Sequence, residues 1–478
     1  MFADIHRLTI VCFLTVSAAL PQAGKLEVRG SLRTRLEMWD WFEGAGDNSY
    51  AYSGNLLRLG IGQQRVGWDW QVEFAAPLLF GLPDGALAPA PQLQLGLGAN
   101  YYAANENSRN AANLFPKQAF LRLKDLGSPA NSLRLGRFEF LDGAEVAPAD
   151  PTLAAVKRDR IAQRLIGNFG WSHVGRSFDG AHFVRNTADT NITLVGAVPT
   201  RGVFQVDGWG NLDVAIGYGA ITRQVPRKRS KGEWRLFSLY YQDWRNVVKT
   251  DNRPLAIRAL DRDDIRIASF GGHYIHAHQT NSGTVDLMAW GALQAGTWGV
   301  LDHLAGALAL EAGWQPPGLP RLRPWLRAGM YYGTGDGNPS DGDHGTFFQF
   351  LPTPRVYARF PFFNMMNNRD LFLSGILRPH RTVTIKSEAR FLTLASRDDL
   401  WYLGGGAFQP DSFGFVGRPS QAFRGLANLY DVSIDWQASS AILVTGYVGH
   451  ARGRGVVRAI YPEGTDATLG CLELVYRF

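Results

Sequence analysis

The chain has 478 residues and carries 49 Lys and Arg against 42 Asp and Glu, a formal net charge of +7. This excess is far below the concentrated basic patch of a nucleic-acid-binding protein, so that class is excluded. Of the basic residues 41 are Arg and 8 are Lys, so most cations can hold carboxylate groups through a planar guanidinium, although a GC-rich genome would give the same bias. The 54 Gly, 28 Phe, 16 Tyr and 14 Trp favour β structure with many turns.

The first residues have the layout of an export signal. The stretch "MFADIHR" precedes thirteen apolar or small residues, "LTIVCFLTVSAAL", and then "PQAG". We therefore predict a cleaved signal peptide over 1–23, ending near Ala19 or Ala23, and a single barrel over 24–478. Without the signal, Cys471 is the one cysteine left in the sequence, which excludes an internal disulfide and a Cys-based zinc site.

The rest of the sequence predicts strands. After the signal it offers no run of about 18 apolar residues for a membrane helix, and stretches of roughly ten residues with alternating polarity recur instead. The alternation predicts an all-β fold of about 18 antiparallel strands. They lie near 26–38, 54–63, 66–75, 117–125, 131–139, 177–186, 191–199, 210–222, 234–244, 265–277, 284–295, 304–315, 322–334, 369–378, 382–393, 428–438, 440–450 and 468–478.

The connections alternate in length. Those after even-numbered strands are short, and the long ones, at 76–116, 140–176, 335–368 and 394–427, follow odd-numbered strands. This layout is typical of an outer-membrane β-barrel with short periplasmic turns and long extracellular loops. Such a sheet must close on itself, because no unpaired strand edge can face lipid.

Polarity within the strands agrees with a barrel wall. In 28–38, 322–332 and 382–392 the apolar side chains share one face and the charged side chains share the other. A soluble sandwich would turn the same apolar face inward, so alternation alone does not orient the sheet. The signal peptide, the even strand count and the loop asymmetry favour an apolar outer face.

The final stretch, "CLELVYRF", also alternates, with Tyr476 and Phe478 on its apolar face. We expect both rings in the aromatic girdle at the periplasmic rim. The pattern resembles the C-terminal signal that the outer-membrane barrel assembly machinery recognises.

Several stretches resemble the alginate-export family of outer-membrane β-barrel porins. They are "NSLRLGRFEFLDGAEV" at 131–146, "RDRIAQRLIGNFGWSHVGRSFDGAHF" at 158–183, "PTRGVFQVDGWGNLDV" at 199–214, "GDGNPSDGDHGTFFQFLPT" at 335–353 and the segment 367–402. The resemblance implies an 18-stranded barrel in the outer membrane of a Gram-negative bacterium, and it implies an Arg-rich lumen that passes an acidic polysaccharide.

Because alternate residues of a strand point to opposite faces, the position of each charged residue relative to the apolar face predicts which ones line the lumen. The basic residues predicted there are Arg29, Arg33, Arg35, Arg58, Arg122, Lys124, Arg323, Arg327, Lys386, Arg390 and Arg477, and the acidic residues are Glu37, Asp69, Glu73, Glu311, Glu388, Asp431, Asp435 and Glu473. The cluster Arg29, Arg33 and Arg35 on one strand favours an anion path. The alternative is a wall of ion pairs around a water-filled lumen.

Three other candidate sites are weaker. The loop "GDGNPSDGDHG" could gather oxygens of Asp336, Asn338, Asp341 and Asp343 around Ca²⁺, but its composition is also that of a plain turn. His276 and His278 share a strand face, which suits the girdle better than a metal site because no third ligand is evident. The pair His173 and Ser177 lies in a long loop with no orienting partner, and catalytic motifs are absent from the sequence, so we expect no enzyme activity.

We therefore predict an outer-membrane channel for the passive passage or export of a polar or anionic solute, such as alginate. Its expected partners are membrane lipid, the assembly machinery and the solute, with no nucleic acid and no cofactor apart from the candidate Ca²⁺. The alternatives are a general diffusion porin and a secreted, soluble all-β protein that binds glycans. The Pro-broken loop at 76–116 could plug the lumen or cover its mouth.

Overall fold

The protein is an eighteen-stranded antiparallel barrel. A computed structural model describes residues 24–226 and 229–478, so the predicted signal peptide lies outside the described residues. Each barrel strand pairs with the next, and β18 pairs with β1 to close the sheet, which confirms the predicted fold. The strands are β1 (Leu26–Asp40), β2 (Ser49–Gln64), β3 (Trp68–Phe80), β4 (Phe115–Lys124), β5 (Asn131–Phe138), β6 (Phe178–Asn186), β7 (Thr190–Pro199), β8 (Val214–Pro226), β9 (Ser230–Asp243), β10 (Ile265–Thr280), β11 (Gly283–Trp298), β12 (Leu301–Gln315), β13 (Trp325–Gly333), β14 (Asn368–His380), β15 (Val383–Leu394), β16 (Gly425–Gln437), β17 (Ile442–Gly453) and β18 (Asp466–Arg477).

The two ends of the barrel differ as the sequence predicts. Connections after even-numbered strands are short, and they form what we call the short-turn end. Connections after odd-numbered strands form the long-loop end, where 81–114, 139–177, 334–367 and 395–424 are the longest. The exception is the two-residue turn 299–300 between β11 and β12, in which Gly299 adopts a φ of 63°.

Short elements interrupt the long loops. The helices are α1 (Leu97–Ala104), α2 (Pro151–Val156, continued by a π turn at Lys157–Ile161), α3 (Leu255–Arg258), α4 (Gly455–Ile460) and a 3₁₀ turn at Pro354–Val356. Short strands lie at Asn110–Ala112, Asp343–His344, Leu400–Gly404 and Phe415–Pro419. In the described part of the chain, no helix has the length and apolar character needed to cross a membrane.

The outer wall is apolar. Large apolar side chains on alternate strand positions are exposed, among them Leu32, Leu293, Leu304 and Leu373, while their charged neighbours point inward. Water would drive so many Leu side chains inside, so an outward apolar band fits a hydrocarbon environment. The predicted orientation of the sheet is therefore confirmed.

Two loops fold into the barrel. The inner segment, which we define as 139–177, starts α2 with Pro151, and the Asp150 side chain accepts hydrogen bonds from the first free helix amides. The second inner segment, 346–366, pairs with it through Leu351, whose amide donates to the Leu165 carbonyl at 2.9 Å and whose carbonyl accepts from the Gly167 amide at 2.7 Å. Because the inner segment contacts β1, β2, β9 and β12, it lies within the lumen.

The loop 81–114 lies across the long-loop end. Gln92 donates to the Ile460 carbonyl on one side of the mouth, and Asn105 donates to the Phe204 carbonyl on the other. Below them the His173 amide donates to the Tyr101 hydroxyl at 3.0 Å, which ties this loop to the inner segment. Of the two possibilities that the sequence leaves open, the structure therefore shows a cover over the mouth.

Candidate functional site: the lumen

The inner segment gives two parts of the lumen wall different surroundings. We call the inner faces of β9–β15 the filled half, because α2 and the π turn pack against them. The inner faces of β16–β18 and β1–β5 form the open half, where most charged side chains keep some exposure. The two parts use the same residue types in different surroundings.

In the filled half the charges are buried in pairs. Glu311, with a side chain 1% exposed, accepts from Arg160 of the inner segment at 2.8 Å and from Arg327 at 3.1 Å. Arg327 also pairs with Asp286. The guanidinium of Arg160 lies over Phe372, 4.3 Å from the ring centroid. These contacts fix the inner segment to the wall.

Two titratable side chains of the inner segment have pKa values that burial shifts. Lys157 pairs with Glu233 at 2.7 Å, and burial lowers the pKa of this ammonium group. Asp142 accepts from the amides of Ile166 at 2.9 Å and Leu165 at 3.2 Å, and burial raises the pKa of its carboxyl group to about 6. The segment therefore contains a carboxyl group whose protonated form is favoured by burial.

In the open half several ion pairs keep partial contact with solvent. Arg58 pairs with Glu73 on the next strand and with Glu139 of the inner segment at 2.8 Å. Arg122, which is 36% exposed, pairs with Asp69. Solvent screens such pairs more than it screens the enclosed pairs of the filled half.

The predicted basic residues divide between these surroundings. Arg35 is 2% exposed, because the ring of Trp171 covers its guanidinium at 4.1 Å and Glu37 binds it at 2.8 Å. The role of the whole set in an anion path stays a prediction. Half-buried on the inner face are Arg29, Arg33, Arg58, Arg122, Lys124, Arg477 and, at the border of the two halves, Lys386; buried in ion pairs are Arg35, Arg327 and Arg390.

One position needs correction. The prediction placed Arg323 on a strand, but β13 begins at Trp325. Arg323 lies in the preceding turn with a φ of 44°, and its guanidinium donates to the Arg378 carbonyl at 3.0 Å. The Pro324 that follows cannot donate to a strand ladder, which is why the strand starts after it.

The predicted set also omits several cations inside the barrel, among them Arg134 and Arg359. Arg134 points inward from β5, and the same alternation that gave Arg122 could have found it. Arg359 belongs to the second inner segment and lies 3.8 Å from Asp435 of β16. No strand periodicity exists in a loop, so the sequence carries no signal for Arg359.

The aromatic end of β18 lies where the sequence suggests. Tyr476 and Phe478 are exposed on the outer face with ring centroids 5.5 Å apart. Phe478 exchanges two backbone hydrogen bonds with Gly30 of β1, at 2.9 and 3.0 Å, and its ring lies in the space that a Cβ at Gly30 would occupy. The two residues thus form part of the seam that closes the barrel at the short-turn end.

The Asp-rich loop caps its own backbone. The carboxylate of Asp336 accepts from the Asn338 amide at 3.0 Å, and that of Asp341 accepts from the Asp343 amide at 3.1 Å. Within 24–226 and 229–478, no cluster of three or more His, Cys, Asp or Glu is arranged to hold a metal ion. The Ca²⁺ site stays a prediction.

The histidine candidates have partners in the structure. His276 and His278 stack on each other at 6.5 Å, and Tyr274 donates to or accepts from His276 at 3.0 Å, as in an aromatic girdle. His173 is fully buried, and Ser177 donates to the Lys117 carbonyl at 2.6 Å.

These features define a class of protein: a closed barrel with an apolar outer band and a charged interior is an outer-membrane porin, a channel for solutes. The chain belongs to the alginate export family, which matches residues 92–453. It lies in the outer membrane of a Gram-negative bacterium, and its short-turn end is periplasmic. No curated protein matches the chain.

Solved barrels share the fold. Similar structures include OccK2 (OpdF) of Pseudomonas aeruginosa, with a TM-score of 0.56 and 9% identity over 96% of this chain and 99% of that one. OpdK of Pseudomonas aeruginosa with vanillate has a TM-score of 0.54 and 9% identity over 95% and 98%. OccAB4 of Acinetobacter baumannii has a TM-score of 0.52 and 8% identity over 96% and 99%. At these identities the likeness concerns the fold.

Proposed function

We propose that the channel passes solutes that carry carboxylates, including an acidic polysaccharide such as alginate, through the open half of its lumen without energy input. The observation that carries this proposal is the location of the accessible cations. Arg58 and Arg122 of the open half keep contact with solvent, whereas Arg327 of the filled half and Arg160 of the inner segment are enclosed with their carboxylates.

A solute carboxylate can compete for the open-half cations. Partial contact with solvent weakens these ion pairs, so exchanging a partner costs less than it would in the filled half; a fully exposed pair is worth only about 0–1 kcal/mol. A guanidinium offers two parallel N–H donors to the incoming carboxylate. Vanillate, the ligand of the solved OpdK structure, is a carboxylate, and that barrel has the same fold. A row of such exchanges along the open half would let an anion move without a deep binding minimum.

The test is single-channel recording of the refolded, signal-free protein in a planar bilayer. We expect a reversal potential under a KCl gradient that indicates anion selectivity, and we expect block by polyuronate at micromolar concentration. Dextran of equal length is the matched control, because it has the bulk of a polysaccharide without the charge. Equal block by both polymers would contradict the role of carboxylates.

A general diffusion porin is the second candidate. The observation that favours it is the close match of opposite charges in the open half, for example Arg33 with Glu473 at 3.9 Å and Lys124 with Asp69 at 3.6 Å. Under this alternative the same recordings would give stable channels with weak selectivity and no block by polyuronate.

We also propose that the chain is a channel without catalysis and without a resident cofactor. Calcium titration followed by intrinsic fluorescence tests the candidate loop at 335–345, and a saturable change at micromolar Ca²⁺ would establish a site there.

We propose further that the barrel assembly machinery recognises Tyr476 and Phe478. Deleting Phe478 should then reduce the heat-modifiable barrel in outer membranes, while Phe478→Tyr should preserve it.

A further inference from the structure

A row of polar side chains crosses the inner face near the short-turn end. On four adjacent strands, β3 to β6, Asp69 lies opposite Arg122, Arg122 opposite Arg134, and Arg134 opposite His182. Directly opposed residues in a sheet have Cβ atoms about 5 Å apart. Two guanidinium groups therefore face each other across β4 and β5.

The charges in this row do not balance. Arg122 pairs with Asp69, and Lys124 lies 3.6 Å from the same carboxylate. Across the described ranges, no carboxylate lies within ion-pair distance of Arg134. Three cations thus share one carboxylate, and like charges placed opposite each other destabilise a sheet unless a counter-ion is present.

The guanidinium of Arg134 is held in place by aromatic rings. It lies 4.7 Å from the ring centroid of Phe120 and 5.8 Å from that of Phe138. Its Nε is buried without a hydrogen-bond partner. Stacking of this kind fixes the plane of the group and leaves its donor edge unused, which is the arrangement that bidentate recognition of a carboxylate needs.

We propose that Arg134, together with Arg122, binds a carboxylate of the solute as it enters from the periplasm. Arg134 is the fourth residue of β5, so it lies about 10 Å from the short-turn rim at 3.4 Å per residue. The site rests on the proposed function and deepens it, because it assigns the first binding step to a particular pair of cations. One carboxylate would reduce the local excess from two positive charges to one.

The test compares block by monomeric glucuronate and by polyuronate added from the periplasmic side. In Arg134→Gln the dissociation constant for each blocker should rise about tenfold, which corresponds to one lost charge-assisted contact of about 1.4 kcal/mol. In Arg134→Lys the rise should be smaller, because a point charge remains without the planar fork. A similar loss for both blockers indicates recognition of one carboxylate, and a loss for polyuronate alone indicates recognition of the chain.

The matched control is Arg185→Gln. Arg185, on the adjacent strand β6, also lies near the short-turn rim, but it is on the outer face, where it donates to Asn131 at 3.2 Å. Its replacement should leave block unchanged within twofold. If the wild type is blocked by polyuronate and Arg134→Gln is blocked equally well, the site is wrong and the proposed function stands. If the wild type shows neither anion selectivity nor block, both are wrong.

Arg134→Lys also protects the test against a folding defect. If Arg134→Gln does not form heat-modifiable channels, the wild type and Arg134→Lys are compared alone. Equal dissociation constants for glucuronate in those two proteins would then overturn the bidentate site.

Discussion

The filled half and the open half of the lumen come from the same alternating strands, yet they differ in how much solvent reaches their charges. Glu311 on β12 is 1% exposed because the inner segment brings Arg160 against it. Glu73 on β3 occupies an equivalent inward position, and it is 14% exposed. The strand sets the direction of a side chain, and the loop that packs against it sets its dielectric environment.

This difference changes what an ion pair does. In a buried pair each charge has lost its hydration, so removing one partner leaves an uncompensated charge. In a pair that keeps contact with solvent, water partly replaces the lost partner. The filled half therefore acts as a structural support for the inner segment, while the open half provides exchangeable contacts.

The largest expected effect comes from breaking a buried pair. Glu311→Gln removes the charge that faces both Arg160 and Arg327, and it should lower the free energy of unfolding by about 3–5 kcal/mol. Glu73→Gln in the open half should cost less than about 1 kcal/mol. Urea unfolding of the two refolded variants in detergent, followed by Trp fluorescence, measures both. Equal losses would show that the two halves do not differ as described.

The second prediction tests whether the difference between the two halves is confined to the inner face of the barrel. Leu373 on β14 and Leu32 on β1 lie mid-strand on the outer face, 58% and 37% exposed. Replacing either with Arg should cost about 2–4 kcal/mol in lipid vesicles, since both face hydrocarbon. If one replacement proves harmless, the corresponding side of the barrel does not face lipid.

The strand positions were predictable because alternation is a local signal. All eighteen segments predicted from sequence overlap a strand, and residues such as Lys386 and Arg390 point inward as their parity indicates. Alternation does not predict how exposed an inward side chain is. Lys386 is 31% exposed and Arg390 is buried, and this difference depends on where the second inner segment packs.

The sequence predicts how long each loop is, but it does not predict whether the loop enters the barrel or lies outside it. Whether 139–177 leaves the barrel or enters it depends on long-range pairs, such as Lys157 with Glu233, which no local pattern encodes. The contribution of Arg359 could not be predicted for the same reason. Arg323 was misplaced because the run 322–334 continues its alternation through a proline turn.

The inner segment should also respond to pH. Burial raises the pKa of Asp142 from 3.8 to about 6, so the protonated carboxyl group is favoured in the folded state. Stability from this group is complete below pH 4, falls as pH rises towards 6, and is absent above. The shift corresponds to about 2–3 kcal/mol. Asp142→Asn, which cannot ionise, should lack this loss.

The comparison between wild type and Asp142→Asn isolates the effect. Asp399 in the loop 395–424 has a pKa that burial also raises to about 6, but it is present in both proteins and cancels in the difference. Unfolding free energies at pH 4 and pH 7 give the result. A difference that does not change between these pH values would mean that Asp142 is ionised at both.

Replacing Arg359 should have the smallest effect on stability, but it should change the ion selectivity of the channel. Arg359 is 33% exposed, lies 3.8 Å from Asp435 and covers the Tyr447 ring at 5.5 Å. Arg359→Gln should change the free energy of unfolding by less than about 1 kcal/mol. It removes a positive charge from the open half and leaves Asp435 facing the lumen, so the reversal potential should move towards cation selectivity. Asp435→Asn should move it the other way. If neither variant shifts the reversal potential, ions do not pass beside this pair, and the conducting path would have to avoid the wall of β16 and β17.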